Sequence, residues 1–165
     1  MEKPPPKVFK VKDPDPDDKF SDIHPHLPQP PSLLLIVGSV KQGKSNLLVN
    51  LLCNHDMYKD KFDIVKIISN TLNADPKGKL MNKYFECEDH YTDEMVTDII
   101  ESQKKYEDFE RPSIALVLDD ILTKDFKKSN AVSFLATRFR HYGIGLLAFT
   151  TQSFRAVSGL IRNNA

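Results

Sequence analysis

Lys44 and Ser45 close the run Gly38-Ser39-Val40-Lys41-Gln42-Gly43-Lys44-Ser45. It fits G-x-x-x-x-G-K-[ST], the pattern of a loop that wraps a polyphosphate. Glycines at 38 and 43 admit backbone angles that a side chain would obstruct, so the loop can close around phosphate oxygens. Backbone N–H groups and the positive end of a following helix supply the rest of an anion site. The Lys44 ammonium would reach the β- and γ-phosphates, and the Ser45 hydroxyl would ligate Mg2+.

A second group of residues is acidic. Asp119 and Asp120 follow Ile114-Ala115-Leu116-Val117-Leu118. This pattern describes a buried parallel strand with carboxylates at its C-terminal end, the edge where open α/β sheets bind ligands. Asp119 would hold Mg2+, directly or through water, beside Ser45. Asp120 would stand where a general base polarises the attacking water. A strand ending in an ordinary polar turn is the competing description. Gln152 follows the apolar stretch GLLAFT at 145–150, where it would sense the γ-phosphate or position the water.

These residues need particular elements to hold them. Leu33 to Val37 reads as a buried strand, and the loop then enters a helix in which Leu47, Leu48, Leu51 and Leu52 share one face. Phe62 to Ser69 is rich in β-branched residues and reads as a second strand. Asn73 to Lys79, with Asp75-Pro76-Lys77-Gly78, reads as a turn or loop. Tyr91 to Tyr106 reads as a structural helix with Met95, Val96, Ile99 and Ile100 on its apolar face. Asn130 to His141 reads as another, with Phe134, Leu135 and Phe139 inward and Gly143 near its C-cap. Arg138, Arg140 and His141 suit a helix C-terminus. An arginine finger acting across a subunit boundary is an equal alternative for that cluster. Lys124, Lys127 and Lys128 lie in a short basic loop, either solvated surface or a loop that tracks DNA.

Composition narrows the class. The 165 residues suit one domain with its own core. Lysine plus arginine equals aspartate plus glutamate at 23 each, so no global charge marks the chain for nucleic acid or membrane. Two cysteines at isolated positions, Cys53 and Cys87, and no signal-peptide pattern read as reduced and intracellular. The longest apolar run, Leu33 to Val37, is far too short for a membrane segment. Nine of the eleven prolines fall in residues 1–31, which read as an extended or disordered N-terminal arm. Residues 32–165 form the expected ATPase domain. With four strands visible, the C-terminal strand or strands of this architecture are expected beyond Ala165.

Taken together, GSVKQGKS, IALVLDD, RFRHYGIG, FTTQS and LIRNNA resemble the genome-packaging ATPases of large nucleocytoplasmic DNA viruses, within the FtsK–HerA group. That resemblance runs from about Leu33 to the end. It implies an α/β, three-layer P-loop NTPase fold of RecA/ASCE type with a mostly parallel central sheet. It also implies ATP hydrolysis with Mg2+, a homo-oligomeric ring, and translocation of double-stranded DNA into a capsid. Capsid or portal proteins would be partners, and the location would be host cytoplasm or virion. Carried over by position, Lys44 and Ser45 bind phosphate and Mg2+, Asp119 is the metal carboxylate, and Asp120 takes the catalytic position usually held by Glu. Gln152 takes the sensor position.

Two other classes remain open from the residues. A GTPase should show N/T-K-x-D, and Thr123-Lys124-Asp125-Phe126 has Phe in the last place. A kinase would need an arginine-bearing lid. A nucleotide-binding protein without turnover is the third possibility, since Asp120 is one methylene shorter than Glu.

Overall fold

The computed structural model describes residues 20–74, 76–121 and 129–165. The three lysines of the basic loop and most of the proline-rich arm lie outside the described residues. Five strands are present among the described residues: β1 Ser32–Val37, β2 Ile64–Ser69, β3 Glu86–Glu88, β4 Ile114–Asp119 and β5 Ile144–Thr151. The helices are α1 Lys44–Cys53, α2 Pro76–Tyr84, α3 Asp93–Gln103, α4 Asn130–Arg138 and α5 Gly159–Asn164.

The strands form one sheet in the order β1-β5-β4-β2-β3, and every pairing is parallel. β4 and β5 are buried along their whole length, which is why their sequences read as unbroken apolar runs. Successive side chains point to opposite faces and so build two cores. Ile114, Leu116, Leu118, Leu147 and Phe149 pack with α3, α4 and α5 on one face. Ala115, Val117, Leu146 and Ala148 pack with α1 and α2 on the other. This gives three layers, α/β/α.

Part of the proline-rich segment belongs to the second core. Ile23 is buried in it, and Phe20 and Leu27 pack against it. The Tyr58 hydroxyl donates to the Pro28 carbonyl over 2.7 Å, and Lys61 pairs with Asp22.

Several sequence expectations are corrected. β3, a fifth strand, pairs with β2 at the sheet edge. Its three residues, Glu-Cys-Glu, carry no apolar pattern, and the pairing rather than propensity makes them a strand. Pro76 to Lys79 is helix, not loop, because proline is well suited to a first helical position. Leu47 is exposed while Leu48, Leu51 and Leu52 are buried. Phe134 lies outward too, against the Tyr142 ring and beneath the Arg138 guanidinium. α4 stops at Arg138, and a 3-10 turn, Phe139–Tyr142, leads to Gly143 at φ 68°.

Candidate functional site

A parallel sheet gathers all its strand ends on one edge. Here that edge carries the phosphate-binding loop after β1, then Thr150, Thr151 and Gln152 at the end of β5, Asp119 and Asp120 after β4, and Ser69 ending β2. The residues singled out in the sequence therefore meet along three adjacent strands.

The loop is shaped by its own backbone. Gly43 sits at φ 90°, where a side chain is strained. Gly38 does not occupy that region; the other left-handed residue of the loop is Lys41, at φ 64°. Gly38 N–H donates to Thr151 O over 3.0 Å and ties the loop to β5. Ser39 through Gly43 are exposed, while Lys44 and Ser45 are half-buried. The Lys44 ammonium turns back onto the loop, donating to Gly38 O at 2.7 Å and Ser39 O at 3.3 Å.

Lys44 and Ser45 also open α1. Its N-cap has no side-chain hydrogen bond and its first turn has no acid. By contrast, α3 is capped by Thr92 and carries Asp93 and Glu94 in its first turn. The positive end of α1 is thus left uncompensated and faces the loop, as an anion site requires.

The acids are held in different ways. Asp119 is only 4% exposed. Its Oδ2 accepts from Ser69 Oγ at 2.7 Å and its Oδ1 from Thr150 Oγ1 at 2.5 Å. Among the described residues the ion pairs engage other groups and no cation meets this carboxylate. Asp120 is half-buried at φ 52°. Its Oδ2 accepts from Gln152 Nε2 at 2.9 Å, and its N–H donates to Thr150 Oγ1 at 3.0 Å.

No family model and no curated protein matches the sequence. Solved structures do. The genome packaging NTPase B204 from Sulfolobus turreted icosahedral virus 2, in complex with ATP-gammaS, aligns at 18% identity with a TM-score of 0.53, over 81% of this chain and 71% of that one. EssC (ATPases 2 and 3) from Geobacillus thermodenitrificans aligns at 15% identity and TM-score 0.56, over 81% of this chain and 30% of that one. The cytoplasmic domain of the Thermomonospora curvata type VII secretion ATPase EccC aligns at 19% and 0.54, over 82% of this chain and 18% of that one. The fold is that of these ATPases. The chain spans less than a third of the EssC and EccC chains that it matches.

Within this ATPase fold the arginines divide by edge. Arg138 and Arg140 precede β5, at the edge opposite the phosphate loop. A strand of eight residues puts them on the order of 20 Å from their own Asp119. Arg155 and Arg162 follow β5 and lie on the loop side, with Arg162 over the Phe154 ring. Two cavities, of about 320 and 690 Å³, open near the starts of the strands rather than at the loop. Among the described residues no helix is long and apolar enough to cross a membrane.

Ser69 and Thr150 were not singled out from the sequence. Their signal was a hydroxyl residue ending an apolar strand, and only the strand order shows that both flank Asp119.

Proposed function

We propose that the chain is the ATP-hydrolysing domain of a motor that translocates double-stranded DNA, most consistent with packaging of a viral genome. The observation that carries it is the meeting of Lys44, Ser45, Asp119, Asp120 and Gln152 along one sheet edge beside an uncompensated helix N-terminus. The packaging NTPase that shares the fold supports the choice of DNA.

In this reading Ser39 to Ser45 surround the triphosphate with backbone N–H groups. The Lys44 ammonium leaves the carbonyls of Gly38 and Ser39 for phosphate oxygens, a stronger, charge-assisted partner. Asp120 receives a proton from the attacking water at Oδ2 once Gln152 Nε2 turns from it to the γ-phosphate. Buried and with no cation beside it among the described residues, the Asp119 carboxylate, with the Ser45 hydroxyl, would fit a divalent ion such as Mg2+. When bound, such an ion offsets charge on the phosphate oxygens. Subunits assembled in a ring would cover this sheet edge and bring an arginine to it.

ATP turnover with and without linear duplex DNA tests this. Lys44→Ala should abolish turnover, and duplex DNA should raise it in the unaltered protein. Turnover indifferent to DNA would replace the motor with another P-loop enzyme. A nucleotide-binding protein without turnover is the second reading, favoured by the Gln152 amide holding the short Asp120 carboxylate. Tight ATP binding without phosphate release would select it.

A further inference from the structure

Asp119 stands between two hydroxyls supplied by the strands on either side of it. Register places Ser69 of β2 directly across from Asp119, and Thr150 of β5 directly across on the other side. Ser69 and Asp119 close β2 and β4, and Thr150, one residue before the end of β5, stands at the same level. Ser69 Oγ donates to one carboxylate oxygen and Thr150 Oγ1 to the other, and both bonds are buried.

Each hydroxyl oxygen also takes a backbone donor. Ser69 Oγ accepts the Thr71 N–H at 3.3 Å, and Thr150 Oγ1 accepts the Asp120 N–H at 3.0 Å. A hydroxyl has one proton to give. Each hydroxyl can direct that proton at Asp119, and Ser69 Oγ also lies 3.3 Å from Thr71 Oγ1. The Asp119 carboxylate is thus held at both oxygens, from the strands on either side. The Thr150 hydroxyl does more, since the same oxygen also fixes the start of the turn that carries Asp120.

We infer that Ser69 and Thr150 are positioning residues, a paired hydroxyl clamp that fixes the Asp119 carboxylate in the orientation that receives a divalent metal ion. This rests on the nucleotide-site assignment proposed above. Partners one step out from a metal ligand orient it, and losing one typically costs about 10- to 100-fold in metal affinity. Among the described residues the hydrogen bonds of Ser69 Oγ and Thr150 Oγ1 reach Asp119, Asp120 and Thr71 and not the phosphate loop, so the clamp should leave metal-free nucleotide binding alone.

The test uses Mn2+ as the metal probe and ATPγS as the nucleotide, with free Mn2+ read by electron paramagnetic resonance. Ser69→Ala and Thr150→Val should each weaken Mn2+ binding to the nucleotide complex by about tenfold or more. Thr150→Val keeps the side-chain shape, and the Asp120 N–H retains the Thr150 carbonyl at 3.3 Å. Thr150→Ser restores the hydroxyl and should recover most of the metal affinity. ATPγS affinity in EDTA should match the unaltered protein in all three variants, an outcome that a generally loosened site would not give. Mn2+ affinity unchanged in Ser69→Ala and Thr150→Val would overturn the clamp while leaving the nucleotide site standing. Equal loss of metal-dependent and metal-free binding would also overturn it, in favour of a purely structural role. If the unaltered protein and Lys44→Ala both fail to bind ATPγS, the nucleotide assignment falls and the clamp with it.

Discussion

Asp120 holds a left-handed backbone, φ 52°, that glycine would adopt without strain and alanine would not. Its stability and its chemistry can therefore be separated. Asp120→Gly should be about 1 kcal/mol more stable than Asp120→Ala in urea unfolding. Both should lose turnover by on the order of 100-fold if Asp120 is the base. Equal stability of the two would show that the backbone strain is not real. Tyr58 offers a second residue-scale test. Burial raises its hydroxyl from 10.0 to about 12, so the folded protein holds the neutral form more tightly than the unfolded chain does. That contribution is fully present below pH 10 and is lost as pH rises through the window to about 12. The urea midpoint should fall across that window, and Tyr58→Phe should flatten the fall. At neutral pH the same substitution should cost about 1 kcal/mol through the lost bond to Pro28.

At the scale of elements, α2 is fixed by one close approach. A Cβ on Gly78 would stand 2.1 Å from the Leu72 carbonyl oxygen, backbone that cannot easily yield. Gly78→Ala should destabilise the protein by about 1–3 kcal/mol, with faster amide exchange along α2 as the local readout. The same contact shows why α2 escaped sequence reading. Gly78 and Pro76 mark a loop when taken locally, whereas here they serve packing and helix entry. β4 and β5 were legible because both faces are buried. The placing of Asp119, Asp120 and Gln152 at their ends followed from those runs, and the placing of Lys44 and Ser45 followed from the loop pattern between a strand and a helix. Ser69 and Thr150 were not, since a strand-end hydroxyl acquires meaning only from its neighbours in the sheet. Leu47 and Phe134 were placed inward by apolar character alone, and the helix surface overrode that character.

Across the whole molecule, the two sheet edges are unlike. One gathers the phosphate loop and the acids; the other carries Arg138, Arg140, His141 and both cavities. Arg138→Ala and Arg140→Ala should leave the nucleotide affinity of an isolated chain unchanged, because neither guanidinium reaches its own loop. Any effect on turnover should then appear only where copies assemble, and titrating protein concentration in the ATPase assay would reveal it. A drop in affinity in the dilute, unassembled protein would contradict this layout.

The strand that carries the phosphate loop has a further property. Among the described residues β1 pairs with β5 alone, Ser32 lying opposite Leu146 and Val37 opposite Thr151. During synthesis an apolar strand must therefore wait, without its partner, until nearly all of the described chain has left the ribosome. Such distant pairing is slow to form, because the closure entropy falls due before the contact repays it. The loop gains its anchor, Gly38 N–H on Thr151 O, only at that last step. A nucleotide that binds this loop would recognise the sheet with β5 paired to β1 and not its precursors, and mass action would then favour that pairing. On the proposed function, cellular ATP would be a folding ligand before it is a fuel.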